Sequence, residues 1–464
     1  MANISFFQNR LGRTDGVSLE VDKWRRVLTE RLGHQVWYCA GNDDVPGNYV
    51  IPELYAHHPT TWKILRNGTV AFDPAEVGSE AELEHLIYAH ADILEERLLH
   101  FIDDQGIDLL VPNNLCSGGF QPAAAIAFHR VIRRSGLPAI IHSHDFYYED
   151  SGEVNATCHS VASIYDRYFP TKLPRVQHVF INRIAQAELQ RRKNIAGTVV
   201  PNVFDFDQQP WRQDAVNAGL RAAFAIADDD LVFLQATRIL DRKGIELAID
   251  TVAAIEDPAR RRSLDGVRTA SGGVFKAASS KIVLLCAGIV ETIGISGDYW
   301  GALKTKARNL GVDLRHVGDR VQHSRGRLAN GDTVFSLWDS YVHADFVTYP
   351  STWEGWGNQF IEAVFARLPV LIFEYPVWTS DLAEAGFDVV SLGDQLSGSD
   401  GAGLVQVASE RIASAADAVC AILADPARRQ AIGEHNYAIG QQRYSLDALQ
   451  RLIEGLLAGA GIGS

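Results

Sequence analysis

The sequence predicts an α/β protein of two doubly wound, Rossmann-like domains facing across a cleft. Three observations carry this reading. Short apolar runs alternate with helix-like segments through the first half of the chain. A polar stretch over about 205–230 then lacks apolar periodicity, and the strand–helix rhythm restarts after it. The length of 464 residues suits two or three domains and a core of useful size. The expected boundaries are 1–205, 206–440, and a terminal segment at 441–464.

The elements follow in order. Ile4–Phe7 reads as a strand ending in a loop with Gly12 and Gly16, and Ser18–Leu32 as a helix closed by Gly33. Val36–Ala40 is a strand, Ala81–Ile102 a long helix, and Ile107–Val111 a buried-type strand leading to Asn113 and Asn114. A helix at Ala123–Arg134 precedes strands at Ala139–Ile141 and Val176–Ile181. In the second half, strands are expected at Leu231–Ala236, Lys281–Cys286, Asp313–Val317, Phe346–Tyr349 and Val370–Phe373. Helices are expected at Gly244–Ile255, Tyr299–Leu310, Thr333–Tyr341 and Gln359–Ala366, then at Ser409–Leu423, Pro426–Tyr437 and Ser445–Leu457. Residues 257–280 read as a surface excursion.

Composition narrows the function. The net charge of −14 disfavours nucleic acid and anionic membrane surfaces as partners. Cys39, Cys116, Cys158, Cys286 and Cys420 are scattered, which argues against a zinc cluster or a disulfide framework and for reduced thiols. The N-terminus lacks the pattern of a signal peptide, and no apolar run approaches the roughly 18 residues of a spanning helix. A soluble, cytoplasmic protein is expected.

Ligands of doubly wound sheets bind where strands end and helices begin. The strongest such segment is Ser351-Thr-Trp-Glu354-Gly-Trp-Gly-Asn-Gln-Phe-Ile-Glu362, after one strand and opening a helix. Gly355 and Gly357 permit close backbone approach, and the amides of Asn358 and Gln359 at the helix start suit an anion such as a diphosphate. Glu354 and Glu362 frame that loop and could hold hydroxyls on either side of the phosphate. Thr237-Arg238 with Lys243-Gly244, after the first strand of the second domain, offers a forked donor and a point charge for the same anion. The Gly12–Gly16 loop could close over a phosphate or be a plain turn. His142-Ser-His144-Asp145 sits at a strand end, where polar contact with substrate is favoured over metal binding. Gly-x-Gly-x-x-Gly after a strand, the P-loop pattern and the Gly-x-Ser-x-Gly elbow are all missing.

These second-domain motifs resemble the signature of retaining nucleotide-sugar glycosyltransferases of the GT-B fold. More narrowly, they resemble the large family of sucrose synthases, sucrose-phosphate synthases and bacterial α-mannosyltransferases. Val200-Pro201-Asn202-Val-Phe-Asp205 and His316-Val-Gly318-Asp319 add to the likeness, which is specific over 195–440 and architectural over 1–190. The resemblance implies that Arg238 and Lys243 bind the donor diphosphate, Glu362 the ribose, and Glu354 the hydroxyls of the transferred sugar. Gly357, Asn358 and Gln359 would hold sugar and distal phosphate, Gly318 would lie near the base, and Gly16 near the phosphates. His144 would lie beside the transferred sugar, with Asn113, His142 and Asp145 on the acceptor. The last helix would cross back onto the first domain.

The activity so implied is metal-independent transfer of a hexose, with retention, to a hydroxyl of a small soluble sugar, sugar acid or sugar phosphate. UDP-glucose and GDP-mannose are both open as donors. No cofactor or metal is expected, and a homodimer stays open. The competing readings are a nucleotide-sugar epimerase of similar architecture and a non-catalytic nucleotide-sugar-binding subunit, with a dehydrogenase below both.

Overall fold

A computed structural model describes residues 1–12, 16–149, 154–291 and 298–463. The chain forms two compact units, Met1–Val203 with Leu446–Ser464, and Phe204–Ser445. Each holds a parallel sheet wound with helices.

In the first unit the strands are β1 (Asn3–Gln8), β2 (Gln35–Ala40), β3 (Tyr49–Val50), β4 (Leu109–Pro112), β5 (Ala139–Ser143), β6 (Val176–Phe180) and β7 (Thr198–Val199). Their order is β3-β2-β1-β4-β5-β6-β7, so the winding reverses between β1 and β4. Strands buried on both faces need continuous apolar runs, and Leu109-Leu-Val-Pro is buried throughout. Ile4, Phe6, Val111 and Ile140 face α1 (Gly16–Arg26), whose Val21 and Trp24 join the same core. Phe7, Leu110 and Ile141 pack in a second core with α2 (Pro59–Leu65), α3 (Pro74–Val77), α4 (Glu80–Gln105), α5 (Pro122–Ser135) and α6 (His159–Tyr168). Helix α4 opens on a capping box of Ser79 and Glu82 and closes on left-handed Gly106. Helix α7 (Arg183–Lys193) follows β6.

In the second unit the strands are β8 (Leu231–Gln235), β9 (Ile282–Cys286), β10 (Asp313–His316), β11 (Val321–Gln322), β12 (Gly326–Arg327), β13 (Thr333–Ser336), β14 (Phe346–Tyr349), β15 (Val370–Ile372) and β16 (Val390–Ser391). The main sheet runs β10-β9-β8-β14-β15-β16, with its reversal between β8 and β14, and β11-β13-β12 form a separate small sheet. The helices are α8 (Leu220–Ala223), α9 (Ile245–Ile255), α10 (Pro258–Ser263), α11 (Tyr299–Leu310), α12 (Leu337–Val342), α13 (Asn358–Phe365), α14 (Ser409–Ala424) and α15 (Pro426–Arg443). The chain ends in α16 (Leu446–Ala460), whose Leu449, Ile453 and Leu456 belong to the core of the first unit. None of the described helices is long and apolar enough to cross a membrane.

Several sequence expectations change. Thr333–Tyr341 is not one helix: Thr333–Ser336 is β13, and α12 starts only at Leu337. The β-branched and aromatic residues of Thr333-Val-Phe pair into the small sheet, while Ser336 and Asp339 form a capping box that fixes the helix start. The stretch 205–230 is more than a polar connection. Phe206 and Trp211 pack on Phe365 with ring centroids 5.8 and 4.9 Å apart. Buried Arg221 donates to the carbonyls of Ala227 and Asp230, both at 2.6 Å. The first helix is α-helical only to Arg26 and turns through a π-helical segment, Val27–Arg31.

Leu449 is fully buried on the α16 face that covers the first sheet. Leu449→Ala should lower the stability of the first unit by about 2–5 kcal/mol. Urea denaturation followed by tryptophan fluorescence measures this, and an unchanged midpoint would contradict the packing.

Candidate functional site

The second sheet reverses between β8 and β14, which pair through Phe346–Phe233 and Val347–Leu234. Their following loops are therefore forced together. Thr352 donates its backbone N–H to the Arg242 carbonyl at 2.9 Å, tying one loop to the other. Between them lies Glu354, 7% exposed. One carboxylate oxygen accepts from Lys243 Nζ, and the other from Arg242 Nη1 at 2.9 Å. Arg242 also donates to the Trp353 carbonyl at 2.9 Å, and its guanidinium lies 5.5 Å from the Trp353 ring centre.

Burial raises the Glu354 carboxyl, but Lys243 and then Arg242 outweigh it and hold the group at about 2. Burial pulls the Lys243 ammonium down to about 8 against the attraction of Glu354. The carboxylate is thus permanently charged near neutrality, and Lys243 is the member of the pair that titrates. Removing one partner of such a buried pair typically costs about 3–5 kcal/mol.

Arg238 lies outside this cluster. Its guanidinium pairs with Glu291, with side chains 51% and 30% exposed. The contact is built by backbone. Past the ends of β8 and β9, Ile239 N–H donates to Ile289 O at 2.8 Å and Glu291 N–H to Ile239 O at 3.2 Å. Gly288 makes this possible, since a Cβ there would meet the Thr237 carbonyl oxygen at 1.9 Å. Gly318 comes as close on the other side, where a Cβ would lie 2.6 Å from Gly288 O, and the His316 ring bonds Gly288 O at 2.9 Å.

Helix α13 begins at Asn358 after Gly357, whose φ of +152° and 2.5 Å Cβ approach to the Tyr375 hydroxyl exclude a side chain. Asn358 and Gln359 form its first turn, and Glu362 accepts from Tyr341 OH at 2.9 Å. Glu354, Lys243, Gly357, Asn358, Gln359, Glu362, Arg238 and Gly318 all follow strands of one sheet edge or lie in the helix that the edge opens. Sequence reasoning passed over Arg242 and Glu291. Arg242 stood in plain view beside Lys243. Glu291 carries no local signal, because its partner lies on another loop.

In the first unit, Asn113 and His142 pair across β4 and β5 in an isolated parallel bridge. Gln8 ends β1 on the same face. Gln8 Oε1, both side-chain atoms of Asn113 and both ring nitrogens of His142 are buried with no hydrogen-bond partner among the described residues. The His142 ring lies 4.9 Å from Trp24 and 4.4 Å from His144. Burial and then His144 push its pKa well below the usual histidine range, so it is neutral. Asn114, with φ +58°, shapes the turn: its Oδ1 accepts from the N–H groups of His144 and Asp145 at 3.1 and 3.0 Å. Its Nδ2 donates to Asp145 Oδ2 at 2.8 Å. Nearby Glu149 is raised to about 8 by burial and by Asp145. Gly16 opens α1, and Arg13, Thr14 and Asp15 of the preceding loop lie outside the described residues. Among the described residues no group of three or more His, Cys, Asp or Glu is placed to hold a metal ion.

The two edges differ chemically. The second unit's edge gathers cations, each already matched to a carboxylate, beside an uncapped helix start. It suits an anion with attached hydroxyls. The first unit's edge offers the neutral donors and acceptors of Gln8, Asn113 and His142 beside the Asp145 carboxylate, a set that suits polyhydroxyl groups.

No family model matches the chain. It is 36% identical over 426 residues to a mannosylglucosylglycerate synthase of Petrotoga mobilis, covering 91% of this chain and 94% of that protein. It is 35% identical over 452 residues to a mannosylglucosylglycerate synthase of Thermotoga maritima, covering 97% and 98%. Among solved structures it resembles a glycosyltransferase from Rickettsia africae, with TM-score 0.61, 13% identity, and 99% and 98% of the two chains covered. It also resembles the sucrose-phosphate synthase of Thermosynechococcus elongatus, with TM-score 0.58, 15% identity, and 99% and 98% covered. At such identities the structural likeness establishes the fold, which is GT-B.

Two predictions follow from the geometry. Anion binding favours charged Lys243, so nucleoside diphosphate affinity should be flat below about pH 8 and fall above it, by up to about tenfold per pH unit. Lys243→Arg should abolish that fall. Calorimetry between pH 7 and 9 tests both, and a pH-independent wild type would remove Lys243 from the anion site. Glu291→Gln should release Arg238 and tighten the same ligand by up to about fivefold, since a half-exposed pair is worth roughly 0.2–1 kcal/mol. Weaker binding would show that Glu291 orients Arg238 rather than competing for it.

Proposed function

The chain belongs to the mannosylglucosylglycerate synthase family and is a glycosyltransferase; we propose that it transfers mannose from GDP-mannose to glucosylglycerate with retention of configuration. The observation that carries this is the pairing of Arg242 and Lys243 with buried Glu354 at the β8 and β14 ends, with Arg238 on the same sheet edge, in a chain related end to end to two such synthases. The family name favours GDP-mannose over UDP-glucose, the other donor the sequence left open. The acceptor, a sugar joined to a small acid, is of the soluble class expected.

In this reading the donor diphosphate lies against Arg238 and Lys243 at the start of α13. The bond between the sugar C1 and the distal phosphate oxygen breaks, and GDP leaves with the electron pair. The acceptor hydroxyl forms the new C1–O bond on the same face, and its proton passes to the departing phosphate. Arg238 and Lys243 stabilise the negative charge as it grows, the role a divalent cation has elsewhere. No metal is then required. A carboxylate has about four acceptor sites. Glu354 therefore has capacity beyond its two cations to accept hydroxyls of the transferred sugar. Glu362 takes the ribose, Gly318 lies by the base, and Gly16 by the phosphates. His144 lies beside the transferred sugar, while Asn113, His142 and Asp145 meet the acceptor.

The test is transfer from GDP-mannose and from UDP-glucose to glucosylglycerate, with and without EDTA, read by anomeric proton NMR. The expected result is an α-mannoside product, insensitive to EDTA. A β-linked product would overturn retention, and free mannose without acceptor dependence would overturn the transferase. Glu354→Gln should lower turnover by about 100-fold or more. Near wild-type rates would remove Glu354 from the site.

A further inference from the structure

The segment after β3 crosses the carboxyl edge of the first unit's sheet. Ile51 N–H donates to Ala40 O at 2.9 Å, at the end of β2. Gly41 admits the crossing, because a Cβ there would meet Tyr55 N at 2.2 Å. Ala56 N–H donates to Asn9 Oδ1 at 2.7 Å, just past β1. Gln121, the residue before α5, donates its side-chain amide to Leu54 O. Residues 54–58 are thus pinned to the ends of β1 and β2 and to the start of α5, at the edge where doubly wound sheets take their ligands.

This segment and its neighbours carry a group of aromatic rings turned to water. Trp62 is 46% and Phe120 48% exposed, among the few large apolar side chains so placed. Phe120 immediately precedes Gln121, whose side chain holds the Leu54 carbonyl. The Tyr55 and His57 ring centres are 5.1 Å apart, and His57 stacks on Trp62 at 5.6 Å with 29° between planes. Single exposed apolar residues need no explanation, but a stacked group at a ligand edge does. The backbone beneath is held independently of the rings: Thr61 Oγ1 donates to Glu53 O at 2.8 Å and contacts the His90 ring at 3.0 Å. His58 Nδ1 is buried there with no partner among the described residues.

A pyranose has an apolar face of axial C–H groups and a rim of hydroxyls. Aromatic faces take the first, and neutral polar groups such as those of Asn113 take the second. We propose that Tyr55, His57, Trp62 and Phe120 form the subsite that holds the sugar ring of the acceptor. The assignment rests on the transferase reading above. It adds the rings that select a glycoside over a bare small acid.

The experiment uses the full chain with Trp62→Ala, Phe120→Ala and the conservative Trp62→Phe. Each alanine variant should raise the acceptor KM tenfold or more and leave GDP affinity within twofold. Trp62→Phe should restore most of the loss. An acceptor KM within twofold of wild type in both alanine variants would overturn the proposal. So would a change confined to sedimentation, which would make the exposed rings a contact between copies of the chain. Saturation-transfer NMR with methyl glucoside needs no turnover. Ring signals in wild type that vanish in Trp62→Ala support the subsite even if no sugar transfer is detected, an outcome that would instead count against the transferase reading. No ring signal in wild type overturns the subsite.

Discussion

Glu354 ties together the ends of the two strands that flank the reversal of the second sheet. Its carboxylate is buried, and it stays charged because Lys243 and Arg242 reach it from the neighbouring loop. Desolvating three charges is costly, and only their mutual hydrogen bonds make the arrangement stable. The consequence is rigidity. The turn before α9, the loop before α13 and the Trp353 ring are all positioned by one carboxylate. Whatever binds at the start of α13 meets groups already oriented, which is how preorganised electrostatics lower a barrier.

The same economy of charge appears at Arg238, which is matched to Glu291 through backbone pairing beyond β8 and β9. Three cations, Arg238, Arg242 and Lys243, share two carboxylates, Glu291 and Glu354, so most of the positive charge at this edge is answered internally. An anion bound there would compete with these carboxylates for the cations. The chain's net charge of −14 acts in the same direction at long range.

The first unit solves a different problem. Its edge contains no comparable cation cluster among the described residues. It presents Gln8, Asn113 and a neutral His142, backed by Trp24, and the segment after β3 carries His57 stacked on Trp62. Unpartnered buried polar atoms are costly, so their concentration on one face of β1, β4 and β5 marks a place where a ligand or water completes the bonding. Asn114 holds the adjacent His144–Asp145 turn in shape with three hydrogen bonds.

Two parallel sheets, most strand positions, the loops carrying Arg238, Lys243 and Glu354, and the helix carrying Glu362 could be read directly from residue order. Strands buried on both faces require continuous apolar runs, and binding loops need glycines at their turns. Residue order failed where local preference gave way to pairing. Thr333–Ser336 joined a small sheet instead of the helix beyond it, and Phe206 and Trp211 made core out of a stretch that looks polar. The pairing of the charges also could not be read. Lys243 with Glu354 and Arg238 with Glu291 span separations of 111 and 53 residues, and only the folded sheet brings those loops side by side. Sequence determined which chemical groups stand at the strand ends. Tertiary structure decided which of them neutralise one another, because electrostatic coupling depends on distance and burial and not on position along the chain.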